Sequence, residues 1–251
     1  MSRWLFDLGN TRLKAAPLGD DGRIGEVVAV PHWNAARREV DLGAELARHL
    51  PPRFEVGYLA SVADEGLRGA VLQSLASRCR RICVARTSRS WNGLRIAYDD
   101  PSRLGVDRFL AMLAVHARGD GVALVCGVGT ALTLDLVDAD GRHRGGRIAP
   151  SPTLMREALH QRATQLPVAG GEYREFADDT VDALASGCEG AALGLIERSL
   201  AHSGTELGDA PKLVMHGGGA VPLAVHLPQA QLAPDLVLEG LAQWAALDWR
   251  G

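Results

Sequence analysis

The chain has 251 residues, with 27 Lys and Arg against 30 Asp and Glu, for a formal charge of −3. Hydrophobic residues make up 47% and charged residues 23%, ordinary values for a globular protein, and the length allows one large domain or two of about 120 residues each. Such a chain buries about 70–75% of its unfolded surface and needs no disulfide or structural metal. The composition also excludes a long apolar membrane span and a strongly basic nucleic-acid surface.

The elements follow in chain order. Arg3–Leu8 reads as a strand around Asp7, residues 12–16 as a second after a tight turn, and 24–30 as a third after the Gly-Asp-Asp-Gly turn at 19–22. Residues 34–50 have helical spacing, with Val40, Leu42, Leu46 and Leu50 apolar, and Pro51-Pro52 stops them. A buried strand at 54–60, a helix at 64–78 and a strand at 81–85 come next. Residues 86–103 are polar and turn-rich, and 104–118 returns to helix. The pattern then restarts with strands at 121–126, 130–137 and 142–148, the last after the Asp-Ala-Asp-Gly turn at 138–141. Helices are expected at 153–165 and 180–203, a strand at Lys212–His216, a helix after Gly217-Gly218-Gly219, and a closing helix at 234–248 with Pro near its first turn.

Each half opens with three strands and continues with alternating helix and strand, which suggests a duplicated α/β domain. The turns agree: Asp7-Leu8-Gly9-Asn10-Thr11 lies 120 residues before Gly127-Val128-Gly129-Thr130-Ala131. The expected halves are residues 1–118 and 119–251.

Chemistry concentrates at these turns. A glycine lets backbone N–H groups approach a phosphate without a Cβ in the way. Asn10 and Thr11 add side-chain donors, and Lys14, one of two lysines in an arginine-biased chain, adds a compact positive charge. Asp7 at the strand end could hold Mg²⁺, directly or through water. The same residues also make good hairpin chemistry with no ligand at all. Gly129, Thr130 and Thr133 offer small residues and hydroxyls at the second turn. The Gly217–Gly219 cluster suits either close approach of a nucleotide or plain strand-to-helix packing. The four cysteines, Cys79, Cys83, Cys126 and Cys188, lack metal or redox spacing and are expected to be reduced thiols. The first residues place Asp7 too early for a signal-peptide core, so a cytoplasmic location is expected.

This constellation resembles the actin-like (ribonuclease H-like) ATPase superfamily, and within it the type III pantothenate kinases. The quoted blocks are Asp7-Leu8-Gly9-Asn10-Thr11-Arg12-Leu13-Lys14, then Tyr98-Asp-Asp-Pro101-Ser-Arg-Leu-Gly105-Val106-Asp107-Arg108, then Gly129-Thr130-Ala131-x-Thr133-x-Asp135 with Gly145-Gly146-Arg-Ile148-x-Pro150, then Thr180 to Gly187, and Gly217-Gly218. They run in family order over nearly the whole chain. The resemblance implies two duplicated actin-like subdomains, each a mixed β-sheet flanked by helices. It also implies ATP with Mg²⁺ as phosphoryl donor and pantothenate as acceptor, the first step of coenzyme A synthesis. Residues 7–14, Gly129, Thr130, Gly217 and Gly218 would bind ATP. Tyr98, Gly105, Val106, Asp107, Arg108 and Thr180 would bind pantothenate, with Asp107 as general base. Arg108 has the planar fork suited to the substrate carboxylate. Without the resemblance, Asp107-Arg108 reads as a first-turn pair at a helix start, and Thr180 as a helix N-cap, for which Asp178 and Asp179 are equal candidates.

The resemblance further implies a homodimer, in which Thr180 reaches the neighbour's pantothenate, and a monovalent cation (K⁺ or NH₄⁺). The family holds that cation partly through an Asp two residues before the second Gly-Thr. Here that position is Gly127, which removes a hard oxygen ligand. The usual Pro-Gly after Gly-Gly-Arg-Ile is Pro150-Ser151. Two readings follow: an active pantothenate kinase, favoured by Asp7, Lys14, Asp107, Arg108 and Thr180, or a weakly active or inactive member acting as a regulatory accessory protein, favoured by Gly127.

Overall fold

A computed structural model describes residues 2–31, 42–208 and 210–248. One compact unit comprises Met1–Arg118 with Asp235–Gly251, the other Gly119–Pro234.

In the first unit, β1 (Arg3–Leu8), β2 (Arg12–Leu18), β3 (Val28–Pro31), β4 (Phe54–Ser61) and β5 (Cys79–Val84) form one sheet in the order β3-β2-β1-β4-β5. β1 runs antiparallel to β2 and parallel to β4. Antiparallel neighbours need only a short turn, whereas the parallel ones need crossovers. α1 (Leu42–His49) leads into β4, and α2 (Glu65–Ala76) links β4 to β5. The expected helix at 34–50 is thus seen from Leu42, its first part lying outside the described residues. α2 starts where the sequence demands it: the Asp64 carboxylate accepts a hydrogen bond from Leu67 N–H at 3.0 Å. Phe6, Leu8 and Leu13 meet Leu46, Phe54, Leu59, Val71 and Leu75 to form the core of this unit. The polar stretch after β5 holds a small hairpin that periodicity did not predict, β6 (Ser90–Trp91) and β7 (Leu94–Arg95). Asn92 and Gly93 turn it with φ of 46° and 87°, the positive values a tight two-residue turn requires. A 3₁₀ turn at Pro101–Arg103 then delivers the chain to α3 (Val106–Arg118).

The second unit repeats this plan. β8 (Ala123–Val128), β9 (Ala131–Val137), β10 (His143–Pro150), β11 (Lys212–His216) and β12 (Ala230–Leu232) lie in the order β10-β9-β8-β11-β12, with the same pattern of antiparallel and parallel pairs. α4 (Pro152–Arg162) and α5 (Thr180–Leu207) precede β11, and α6 (Ala220–Ala224) precedes β12, a strand the sequence did not announce. β8 is buried along its whole length, as a central strand covered on both faces should be. Its Leu124, Cys126 and Val128 pack with Leu134, Ile196, Leu213, Met215 and Leu223.

The closing helix α7 (Leu236–Asp248) corrects the expected halves, because it belongs to the first unit, not to residues 119–251. The reason is steric as well as apolar. A Cβ on Gly240 would come within 1.9 Å of the Leu110 carbonyl oxygen, so glycine at that position lets α7 lie against the α3 backbone. Trp244 stacks on Trp91, and Arg118 Nε donates to Glu239 at 2.9 Å.

Candidate active site

The first turn is a hairpin closed by the register pair Leu8↔Leu13, with Gly9 N–H donating to the Arg12 carbonyl at 3.2 Å. Leu8 and Leu13 are buried in the core, while Asn10, Thr11 and Arg12 are exposed at the tip. Asp7 and Lys14 stand opposite each other on β1 and β2, so their side chains share one face of the sheet. Lys14 Nζ lies 3.0 Å from Asp235 Oδ1. The Asp7 carboxyl is raised from its ordinary 3.8 to about 7, first by desolvation, then by the negative charge of Asp107, with Lys14 opposing and Asp235 adding to the rise. One acidic cluster, Asp7, Asp107 and Asp235 around Lys14, is therefore assembled from β1, β2, α3 and the start of α7.

Asp107 sits in the first turn of α3, where its Oδ1 accepts a hydrogen bond from Arg108 N–H at 2.8 Å. Gly105 leaves room for that carboxylate, since a Cβ there would lie 2.6 Å from Asp107 Oδ1. Val106 and Arg108 are buried, and Arg108 Nη1 reaches the Tyr98 hydroxyl at 3.5 Å. Tyr98 and Arg108, ten positions apart, are thus brought together. Asp235 was missed. It stood in the sequence only as a residue near the start of a helix, and its pairing with Lys14 spans 221 positions.

The second turn is one residue shorter than the first, closed by Val128↔Leu132, with Gly129 N–H donating to the Ala131 carbonyl at 2.9 Å. Gly129 and Thr130 are exposed at its tip. Gly217 has φ of 92°, and a Cβ on it would meet the Val128 carbonyl oxygen at 2.4 Å. Gly219 N–H donates to that same oxygen at 3.0 Å. The glycine cluster therefore wraps the end of β8 directly before the second turn, so strand-to-helix packing accounts for Gly217, while Gly218 is exposed. Asp135 lies away from the turn, buried, with His143 Nε2 3.0 Å from its Oδ1.

At the start of α5 the cap is Asp179, which accepts from Val181 N–H at 2.7 Å and Asp182 N–H at 3.0 Å. Thr180 is an exposed first-turn residue beside it, so the N-cap reading of Thr180 gives way to Asp179. Ser151 replaces the expected glycine for a local reason: its hydroxyl caps α4 by accepting from Leu154 N–H at 3.3 Å.

The profile of the family described as type III pantothenate kinase matches residues 4–202. A protein of that name from Xanthomonas campestris pv. campestris (strain B100) is 56% identical over 245 residues, covering 98% of both chains. The chain belongs to the type III pantothenate kinase family. Among solved structures, a conserved Campylobacter jejuni protein named for the Baf family of transcriptional activators superposes with a TM-score of 0.63 at 18% identity, covering 99% of this chain and 100% of that one. An archaeal actin homologue in complex with ADP gives 0.53 at 11% identity over the full length of both. At such identities these likenesses speak for the fold, which is actin-like. Gly127, which stands where the first unit has Asp7, is closely enclosed. A Cβ there would lie 2.7 Å from Thr133 Oγ1 and 2.9 Å from His216 Nε2, so the space a side chain would take is already filled.

Proposed function

We infer that the chain transfers the γ-phosphoryl group of ATP to the primary hydroxyl of pantothenate, giving 4′-phosphopantothenate for coenzyme A synthesis. The observation that carries this reading is the joining of Asp107, Arg108 and Tyr98 to the Asp7–Lys14 hairpin within one unit of a chain of this family. Asp107, held by the α3 backbone, takes the hydroxyl proton as the acceptor oxygen attacks, a role worth about 10²–10⁴-fold. The bond between the γ-phosphorus and its bridging oxygen breaks, ADP leaves, and the remainder of the rate comes from positioning and charge stabilisation. Arg108, already desolvated, takes the pantothenate carboxylate, and Tyr98 orients both. The phosphates of ATP are assigned to residues 7–14 and to Gly129 and Thr130, and the nucleoside to Gly217 and Gly218.

Mg²⁺ fits the first unit. Asp7, Asp107 and Asp235 gather around the Lys14 ammonium, and the Asp7 carboxyl is raised first by desolvation and then by the negative charge of Asp107, both of which a bound cation would offset. Mg²⁺ in phosphoryl-transfer sites is commonly bound by one or two carboxylates together with substrate phosphates. Asp7 would hold it, and it would neutralise charge on the transferring group. A monovalent cation does not fit: position 127 offers no carboxylate, and an imidazole occupies the space above it.

The chain acts as a homodimer in this reading, with Thr180 facing the neighbour's pantothenate. An open apolar groove of about 750 Å³ between α4 and α5, lined by Leu154, Met155, Leu159 and Leu184, supports a partner there. Ile148, Phe176 and Val181 of the same unit are also exposed. No helix among the described residues is long and apolar enough to cross a membrane. The deciding experiment is ADP release by the purified chain with ATP, Mg²⁺ and pantothenate. Pantothenate-dependent release with formation of the phosphorylated product is expected, and its absence overturns the reading.

A further inference from the structure

The duplicated sheets allow a position-by-position comparison. In the first unit, Asp7 on the central strand pairs with Lys14 on its antiparallel neighbour and with Ala60 on its parallel neighbour. In the second unit, the same three positions are Gly127, Thr133 and His216. Paired residues on adjacent strands share a face. The acidic side chain of the central strand is thus exchanged for a glycine, and the small residue of the parallel strand for a histidine. The exchange is sterically complementary, because His216 Nε2 lies 2.9 Å from where a Cβ of residue 127 would be. The imidazole fits only because position 127 lacks a side chain.

The place is one where ligands bind. Gly127 and His216 stand at the carboxyl ends of β8 and β11, and ligands of open α/β sheets lie in the crevice outside those ends. The second phosphate turn begins two residues beyond Gly127. Gly217, wedged against the Val128 carbonyl, fixes the backbone just after His216.

We propose that His216 is a phosphate-binding residue of the nucleotide site. Its Nε2–H donates to an ATP phosphate oxygen, supplying the favourable contact that a carboxylate-held cation would give at this position, so turnover needs no added monovalent cation. The proposal rests on the nucleotide assignment above and goes beyond it in naming the group and the salt requirement. An imidazole donor suits the task, being neutral or positive and never an anion facing the phosphates.

The test uses the full chain with ATP, Mg²⁺ and pantothenate, in potassium, ammonium or N-methylglucamine chloride. Wild-type rates should agree within about twofold across the three salts, and severalfold stimulation by potassium or ammonium overturns the proposal. His216→Ala should raise KM for ATP by about 10–100-fold, the loss expected for one hydrogen bond to a charged group, with KM for pantothenate unchanged. His216→Gln, which keeps an N–H donor, should recover most of it. An unchanged KM for ATP in a folded His216→Ala also overturns it. Should that variant not fold, the wild-type salt profile still decides. Nucleotide binding separates the two readings: a wild type that binds ATP but leaves pantothenate untouched refutes the kinase assignment alone, and ATP affinity of the His216 variants then tests this proposal. A wild type that binds no nucleotide overturns both.

Discussion

Asp7→Asn should make the ligand-free protein more stable at pH 8 while abolishing phosphoryl transfer. The Asp7 carboxyl is raised from 3.8 to about 7 because ionisation occurs in a desolvated place beside Asp107 and Asp235. A native-state value above the unfolded one means that the folded chain binds the extra proton. The contribution to stability is then full below pH 4 and falls as pH climbs towards 7. At about 1.4 kcal/mol for each tenfold change in proton affinity, the whole rise is worth about 4 kcal/mol. The side chain keeps some contact with water, so a gap of about 2–4 kcal/mol between variant and wild type is expected at pH 8. Asparagine carries no charge and avoids that cost. The assay is urea unfolding of both proteins in EDTA at pH 8 and pH 5. The gap should shrink to less than half at pH 5, where the wild-type carboxyl is mostly protonated in the folded state. A variant no more stable than wild type at pH 8, or a gap independent of pH, refutes the electrostatic account of this cluster.

Three further outcomes are expected. Asp107→Asn should lower kcat by about 10²–10⁴-fold with ATP affinity nearly unchanged, measured by coupled ADP release and nucleotide titration; normal turnover removes Asp107 from the base role. Gly240→Ala should cost about 3 kcal/mol or more, because its methyl group would overlap the Leu110 carbonyl, whereas exposed Gln243→Ala on the same helix should leave the melting temperature within a degree or two; equal melting of the two variants would contradict the α3–α7 contact. Tyr98→Phe removes the hydroxyl facing Arg108 and should raise KM for pantothenate about 3–10-fold with kcat little changed, so an unaltered KM would separate Tyr98 from the acceptor site.

The sequence by itself determined the repeated order of strands and helices, the two glycine-bearing hairpin turns, and the Tyr98-to-Arg108 block. Each is written in short-range signals: apolar period, turn residues at fixed offsets, and helix caps such as Asp64. It also placed Gly127 where the first half carries Asp7. Only the tertiary structure decided what lies over it. The imidazole over Gly127 comes from His216, 89 positions away and adjacent only through the β8–β11 pairing. The same holds for Asp235 beside Lys14, and for α7, which leaves the second half of the chain to join the first unit through a glycine pressed against a carbonyl. Local propensity and pattern act over a few residues, whereas these contacts arise where a strand or helix comes to rest against a partner distant in the chain. No short-range signal encodes that partner's identity.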